Sequence, residues 1–264
     1  MGRSIDTPCP ANDLALPSSN EGLVQVRVGT SGYSYKEWKG TFYPEKLPAD
    51  RMLQYYASKF QAVEINNTFY RMPSEKLLLG WAGEVPAGFT FVLKASRRVT
   101  HEKRLKEVGE EVSYFLKTAT TLGDKLGPTL FQLPPNLKKD LPRLKEFLAI
   151  LPRRWRAALE FRHASWLEDD VFESLREHNA ALCVADTGEE GDAPFVATAD
   201  WGYLRLRREQ YEAGELETWA EGVRKQAWGE AFVFFKHEEA GTGPKLAAAF
   251  GKLLGEERTG NRER

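Results

Sequence analysis

The run Ala62-Val63-Glu64-Ile65-Asn66-Asn67-Thr68-Phe69-Tyr70-Arg71-Met72-Pro73 begins as an apolar strand and ends in charge and amide. Strand alternation sets Val63 and Ile65 on one face and Ala62, Glu64 and Asn66 on the other, so the polar face is either paired in the interior or leads to a site. A carboxylate within a strand needs a partner, because burying it alone is prohibitive. Several other strands of the chain end the same way.

Outward from this run, apolar strands are expected at 23–28, 62–66, 89–96, 128–133, 156–162, 181–186, 203–207 and 232–236. Helical spacing is expected near 49–60, 75–83, 110–122, 141–151, 169–178, 216–228 and 244–254. Strands alternating with helices imply parallel pairing through right-handed crossovers. Eight strands in about 230 residues fit a single-domain α/β fold, a closed (β/α)8 TIM-barrel-like architecture. The alternative is an open doubly wound sheet, but the first strand runs into Gly29-Thr30-Ser31-Gly32 without the GxGxxG of a dinucleotide fold. Residues 195–198 are a possible extra strand.

The domain is expected to occupy 23–254, with a Pro- and Ser-containing disordered extension at 1–22 and a frayed, charged tail at 255–264. With 264 residues and 42% hydrophobic content, the chain can bury a large core. A formal net charge of -1, from 37 Lys plus Arg against 38 Asp plus Glu, gives no global attraction to nucleic acid or membrane. No run approaches the ~18 apolar residues of a membrane helix. The extension has no apolar signal core, and Cys9 and Cys183 make no disulfide framework, so a cytoplasmic location is expected.

In a barrel, alternate strand residues point inward. That parity brings Glu64, Asn66, Lys94, Ser96, Gln132, Glu160, Arg162, Asp186, Arg205, Arg207 and Lys236 to the carboxyl ends of the strands, over layers filled by Val92, Ala158, Val184 and Phe234. Three acids among five cations leave an excess of positive charge, which suits an anionic small-molecule ligand. Glu160 with Arg162, and Glu64 with Lys94, also fit plain structural ion pairs. Gly241 and Gly243 precede the last helix, where exposed N–H groups can hold phosphate or an ordinary loop can simply lead into Pro244. Of the aromatics near this end, Tyr33, Trp38 and Tyr70 are candidates for stacking on a ligand, against a capping role.

Two inward carboxylates, Glu64 and Glu160, suggest acid–base chemistry of the glycosidase kind, with Arg162 holding Glu160 ionised and Glu64 left as proton donor. His163 is a general acid/base or merely orients its loop. No metal is expected, since the histidines lack ligand spacing and the cations would repel one, and no cofactor is implied. A Schiff base at Lys94 or Lys236 ranks lower, because carboxylate neighbours would keep both protonated.

Gly29-Thr30-Ser31-Gly32-Tyr33-Ser34-Tyr35 with Trp38 and Phe42-Tyr43-Pro44, then Val63 through Tyr70, Lys94 with Thr100-His101, Phe131-Gln132-Leu133-Pro134-Pro135, Glu160-Phe161-Arg162-His163 with Ser165-Trp166, and Tyr203-Leu204-Arg205-Leu206 resemble the YecE-like family, a domain of unknown function, number seventy-two. The resemblance covers about residues 26 to 250 and implies a bacterial, cytoplasmic TIM-barrel-like protein without a settled activity. Arg207-Arg208 and Lys236-His237 depart from a His-Gly pair and paired asparagines common in that family, adding positive charge. The expected function is a hydrolase or lyase acting on a phosphate- or carboxylate-bearing small molecule. The alternatives are a single-stranded nucleic-acid or protein binding module, and a carrier or sensor without turnover.

Overall fold

A computed structural model describes residues 24–188, 193–236 and 239–255. Eight parallel strands close into one barrel in sequence order: β1 Gln25–Ser31, β2 Ala62–Ile65, β3 Thr90–Lys94, β4 Leu126–Gln132, β5 Ala157–Glu160, β6 Ala181–Asp186, β7 Trp201–Leu206 and β8 Glu230–Phe235. Around them lie α1 Met52–Ala57, α2 Glu75–Glu84, α3 Gly109–Ala119, α4 Leu141–Ala149, α5 Asp169–Glu177, α6 Ala213–Arg224 and α7 Thr242–Leu253. The expected extension at 1–22 lies outside the described residues, as does all of the expected tail beyond Gly255.

Local chemistry starts the helices where the sequence turns. The Ser74 hydroxyl accepts from Leu77 N at the head of α2, and Asp140 accepts from Arg143 N at the head of α4, where Pro142 follows. Glu212 and Glu215 form a reciprocal capping box for α6. Apolar helix faces then pack on the outward residues of the strands, such as Val63, Leu93, Leu159 and Val233.

The barrel interior is a separate apolar cluster that includes Ala62, Val92, Leu130, Ala158, Cys183, Tyr203 and Phe234. Val184 is not in it; it packs outward, and Ala181 and Cys183 hold the interior positions of β6. The expectation failed there because β6 is apolar on both faces, and the smaller residues are the ones that fit inside. Residues 195–198 form no strand. Instead, Phe195 lies against Trp219 and Trp228, and the buried Thr198 hydroxyl accepts from Leu182 N and donates to Ala180 O.

At the amino ends of the strands, Glu230 takes Arg27 and Arg156 at 2.5 Å each, and Arg156 also lies 5.1 Å from the Phe232 ring. This ion pair plugs the bottom of the barrel. At the other end, β1 continues through Gly29-Thr30-Ser31, a segment read from sequence as loop, and Ser31 pairs in register with Glu64.

Gly29 has a steric reason to be glycine: a Cβ there would stand 2.0 Å from the Ala62 carbonyl oxygen. Gly29→Ala is expected to destabilise the chain by ~3 kcal/mol or more, the upper end for overpacking, because a backbone carbonyl must move. Chemical denaturation with an unchanged midpoint would contradict the packing described here.

Candidate active site at the barrel mouth

Glu64, Glu160 and Arg205 come from the carboxyl ends of β2, β5 and β7, and all three are essentially without solvent exposure. The Arg205 guanidinium spans the barrel: Nη2 donates to Glu64 Oε1 at 2.8 Å and Nη1 to Glu160 Oε2 at 2.7 Å. Glu64 Oε1 also accepts from Ser31 at 2.7 Å and Asn66 at 3.1 Å, and its Oε2 accepts from the Tyr203 hydroxyl at 2.6 Å. Glu160 Oε1 accepts from Gln132 Nε2 at 2.8 Å and pairs with Arg162 Nη2 at 2.5 Å. Each carboxylate is therefore saturated with donors, as a buried charge must be.

Burial alone would push both carboxyls up. The guanidinium of Arg205 outweighs it, helped at Glu64 by the Tyr203 and Ser31 hydrogen bonds and at Glu160 by Arg162, and both acids are held below their usual range. Neither can donate a proton near neutrality. That direction weighs against the expected role of Glu64 as proton donor.

Lys94 ends β3 on the same inward face, half-buried. Its Nζ donates to Gln132 Oε1 at 2.7 Å, an amide and not a carboxylate, and lies 4.3 Å over the Phe69 ring. Burial and the Arg205 charge outweigh the pull of Glu64 and Glu160, and the ammonium is lowered to about 8. The expectation that carboxylates would hold this lysine as an ordinary ammonium is weakened: Glu64 and Glu160 still favour its charged form, but their oxygens are engaged by other donors, and the amine, largely protonated at pH 7, loses its proton more readily than an ordinary lysine.

Over this amine sits an unusual loop. Residues Arg98–Glu102 form a π-turn, and Arg104, Leu105 and Glu107 follow with φ of 51°, 68° and 51°. Left-handed backbone at non-glycine residues costs roughly 1–2 kcal/mol each. Arg98 and Lys103 both bind Glu111 of α3 at 2.8 Å, which helps hold the loop in place. The loop sets His101 edge-on to Phe69 at 4.9 Å, with Nδ1 2.9 Å from the Thr100 hydroxyl. Partial burial and the charges of Lys94, Arg97 and Arg104 hold its imidazole below the ordinary histidine value.

Other expected site residues lie apart from this cluster. Asp186 shares the outward parity of Val184 and accepts from Arg208 Nε at 2.9 Å, so it leaves the mouth for reasons of register. His163 caps the short 3-10 turn Ala164–Trp166, Nδ1 accepting from Ser165 N, which is the loop-orienting reading. Trp38 is buried against Tyr35, Phe42 and Tyr43 as part of a cap. Tyr33 packs beside Tyr56 of α1. Tyr70 is 78% exposed and touches the Phe69 ring by its edge. Gly241 turns against Thr41 with φ 72°, where a Cβ would crowd the Thr41 hydroxyl, and Gly243 is buried in the first turn of α7. Arg207 Nε is buried without a hydrogen-bond partner among the described residues, and Lys236, past the end of β8, is half-buried. Ser31 and Tyr203 were missed; Tyr203 stands two residues before Arg205 on the inward face, a signal that parity alone could have used.

A recess of about 750 Å³ lies outside the mouth, bounded by Asn67, Thr68, Arg71, Leu77, Trp81 and Tyr114. The turn Asn67–Phe69 separates it from Lys94, whose carbonyl lies 2.6 Å from the Thr68 hydroxyl. Its lining carries one cation and no acid, whereas the mouth gathers several ionisable groups. Among the described residues no helix is long and apolar enough to cross a membrane.

A family model described as "Protein of unknown function DUF72" matches residues 27–264. The UPF0759 protein YecE of Escherichia coli K12 is 31% identical over 112 residues, which is 42% of this chain and only 41% of that protein's length. The UPF0759 protein YunF of Bacillus subtilis is 25% identical over 261 residues, 82% of this chain and 90% of YunF. Among solved structures, a DUF72 family protein from Thermotoga maritima superposes with a TM-score of 0.78 at 31% identity, covering 88% of this chain and all of that one.

Arg205→Met leaves two carboxylates buried without their shared cation, and a loss of ~3–5 kcal/mol is expected. Combining it with Glu64→Gln and Glu160→Gln should restore most of that loss. Because both carboxyls ionise more readily in the folded chain, their stabilisation is complete above the usual carboxylate range and is lost as pH falls through and below it. The triple variant should lack that share of the acid dependence in urea titrations. A single Arg205→Met variant of native stability would refute the clamp.

Proposed function

The chain belongs to the DUF72 family of proteins of unknown function, and for this member we propose an enzyme of lyase or hydrolase type acting on an anionic small molecule at the barrel mouth. One observation carries the reading: Lys94 ends β3 inside a cation-rich mouth with its amine lowered to about 8 and, among the described residues, no carboxylate of its own. Amines poised near the working pH are suited to taking and returning protons. Arg162, partly exposed and anchored by Glu160, presents a guanidinium to a carboxylate or phosphate group. Among the described residues, two carboxylates beside Lys94, Arg162 and Arg205 leave the layer net positive.

In this reading Glu64 and Glu160 touch no substrate. They fix Arg205 and Arg162, and Glu160 also orients Gln132, whose amide oxygen faces the Lys94 amine. Lys94 moves the proton, and His101, its imidazole held below the ordinary histidine value, serves as a second carrier across the Phe69 ring.

The test is thermal stabilisation across a panel of phosphorylated and carboxylated metabolites, followed by turnover assays on those that bind. Arg162→Met is expected to weaken binding about tenfold or more, and Lys94→Met to abolish turnover while stabilisation persists. Lack of stabilisation by any anion, or equal turnover by the Lys94 variant, would contradict the proposal. Ligand returned unchanged by wild type would favour a carrier, and salt-sensitive binding of single-stranded oligonucleotides a nucleic-acid module.

A further inference from the structure

We propose that Lys94 is a covalent nucleophile that forms an iminium with the carbonyl group of an anionic aldehyde or ketone. This deepens the mouth-site reading above and rests on it, because the anion is what brings the carbonyl to the amine.

Four observations converge. The amine is hydrogen-bonded to a neutral acceptor, Gln132 Oε1, whose orientation is fixed because Gln132 Nε2 is committed to Glu160. An amide accepts from an ammonium but does not hold its proton as a carboxylate does. Both acids near enough to do so are saturated by Arg205, Arg162, Gln132, Tyr203, Ser31 and Asn66. Burial, and then the Arg205 and Arg162 charges, disfavour a further cation beside them, which raises the share of free amine well above that of an ordinary lysine.

Phe69 supplies the third element. Its ring lies 4.3 Å from the amine, and a cation–π contact that accommodates an ammonium also accommodates an iminium, since the positive charge stays on the same nitrogen. The ring also gives the flat product an apolar wall. Fourth, His101 lies on the edge of that ring with its imidazole held below the ordinary histidine value, so it can take the proton the Lys94 ammonium sheds and return it in the dehydration.

The step balances without an external co-reactant. The lone pair of the free amine attacks the carbonyl carbon, the C=O π pair moves to oxygen, and oxygen takes a proton as nitrogen loses one, giving a carbinolamine. His101, which takes up the proton that the Lys94 ammonium sheds to become the free amine, returns it to that hydroxyl, which leaves as water while the nitrogen lone pair forms the C=N bond of the iminium. Arg162 holds the carboxylate or phosphate of the same molecule. The iminium then draws electrons from an adjacent C–C or C–H bond, which fits the lyase side of the proposed activity.

The experiment is reductive trapping of the full chain at pH 7 with sodium cyanoborohydride. Pyruvate and glyoxylate serve as anionic probes and glycolaldehyde as an uncharged one, and modified lysines are located by peptide mapping. The expected result is an adduct with the mass of the probe less one oxygen atom at Lys94, forming at least about tenfold faster than at the average lysine of the chain. Trapping should favour the anionic probes, fall when inorganic phosphate competes, and vanish from that peptide in Lys94→Arg. Adducts scattered over surface lysines without preference for Lys94 would overturn the proposal. Preferential trapping of glycolaldehyde at Lys94 without anion preference would keep the nucleophile and defeat the anionic-ligand reading. Anion stabilisation with no adduct at Lys94 would do the reverse. The wild-type peptide map gives the answer even if a lysine variant fails to fold.

Discussion

One guanidinium holds two carboxylates across the inside of the barrel, and the chemistry of the mouth follows from that constraint. Arg205 reaches Glu64 on one side and Glu160 on the other, so three strands that are not neighbours are tied through a single buried charge. Below this layer the interior is apolar, closed at the opposite end by Arg27, Glu230 and Arg156. Buried ion pairs of this kind seldom stabilise a fold beyond what well-packed apolar residues would give. Their consequence here is electrostatic: both acids stay ionised and both are consumed.

That competition decides the state of Lys94. Had either carboxylate been open, the lysine would be an ordinary ammonium in an ion pair. With Arg205 and Arg162 on the acids, it is left with an amide oxygen, an aromatic ring and partial burial, and its amine drops toward neutrality. The strained segment after β3 adds weight to the same spot. A π-turn followed by three left-handed non-glycine residues is a costly way to cross from strand to helix, and it seats His101 over the ring that Lys94 faces.

Much of the fold was legible, for a physical reason: in a closed barrel the helix-facing side of most strands is largely apolar, so a charged or amide residue on the other face announces itself. Glu64, Lys94, Gln132, Glu160 and Arg205 were found that way. The same logic failed in β6, where Leu182 and Val184 on one face and Ala181 and Cys183 on the other are all apolar, and Asp186 went outward with them. It stopped short in β1, where Gly29-Thr30-Ser31 reads as a turn although it completes the strand and delivers Ser31 to Glu64. The partner of Lys94 was beyond the sequence altogether, since it depends on which of several cations wins each acid across the barrel.

The central claim, that the clamp leaves Lys94 without a counter-ion among the described residues, is tested most directly by following the titration of its side-chain amine by nuclear magnetic resonance in lysine-labelled protein. The account predicts a midpoint near 8, far below the 10.5 of an ordinary lysine. A midpoint at or above the ordinary value would mean that a carboxylate does hold this amine, and would contradict the account.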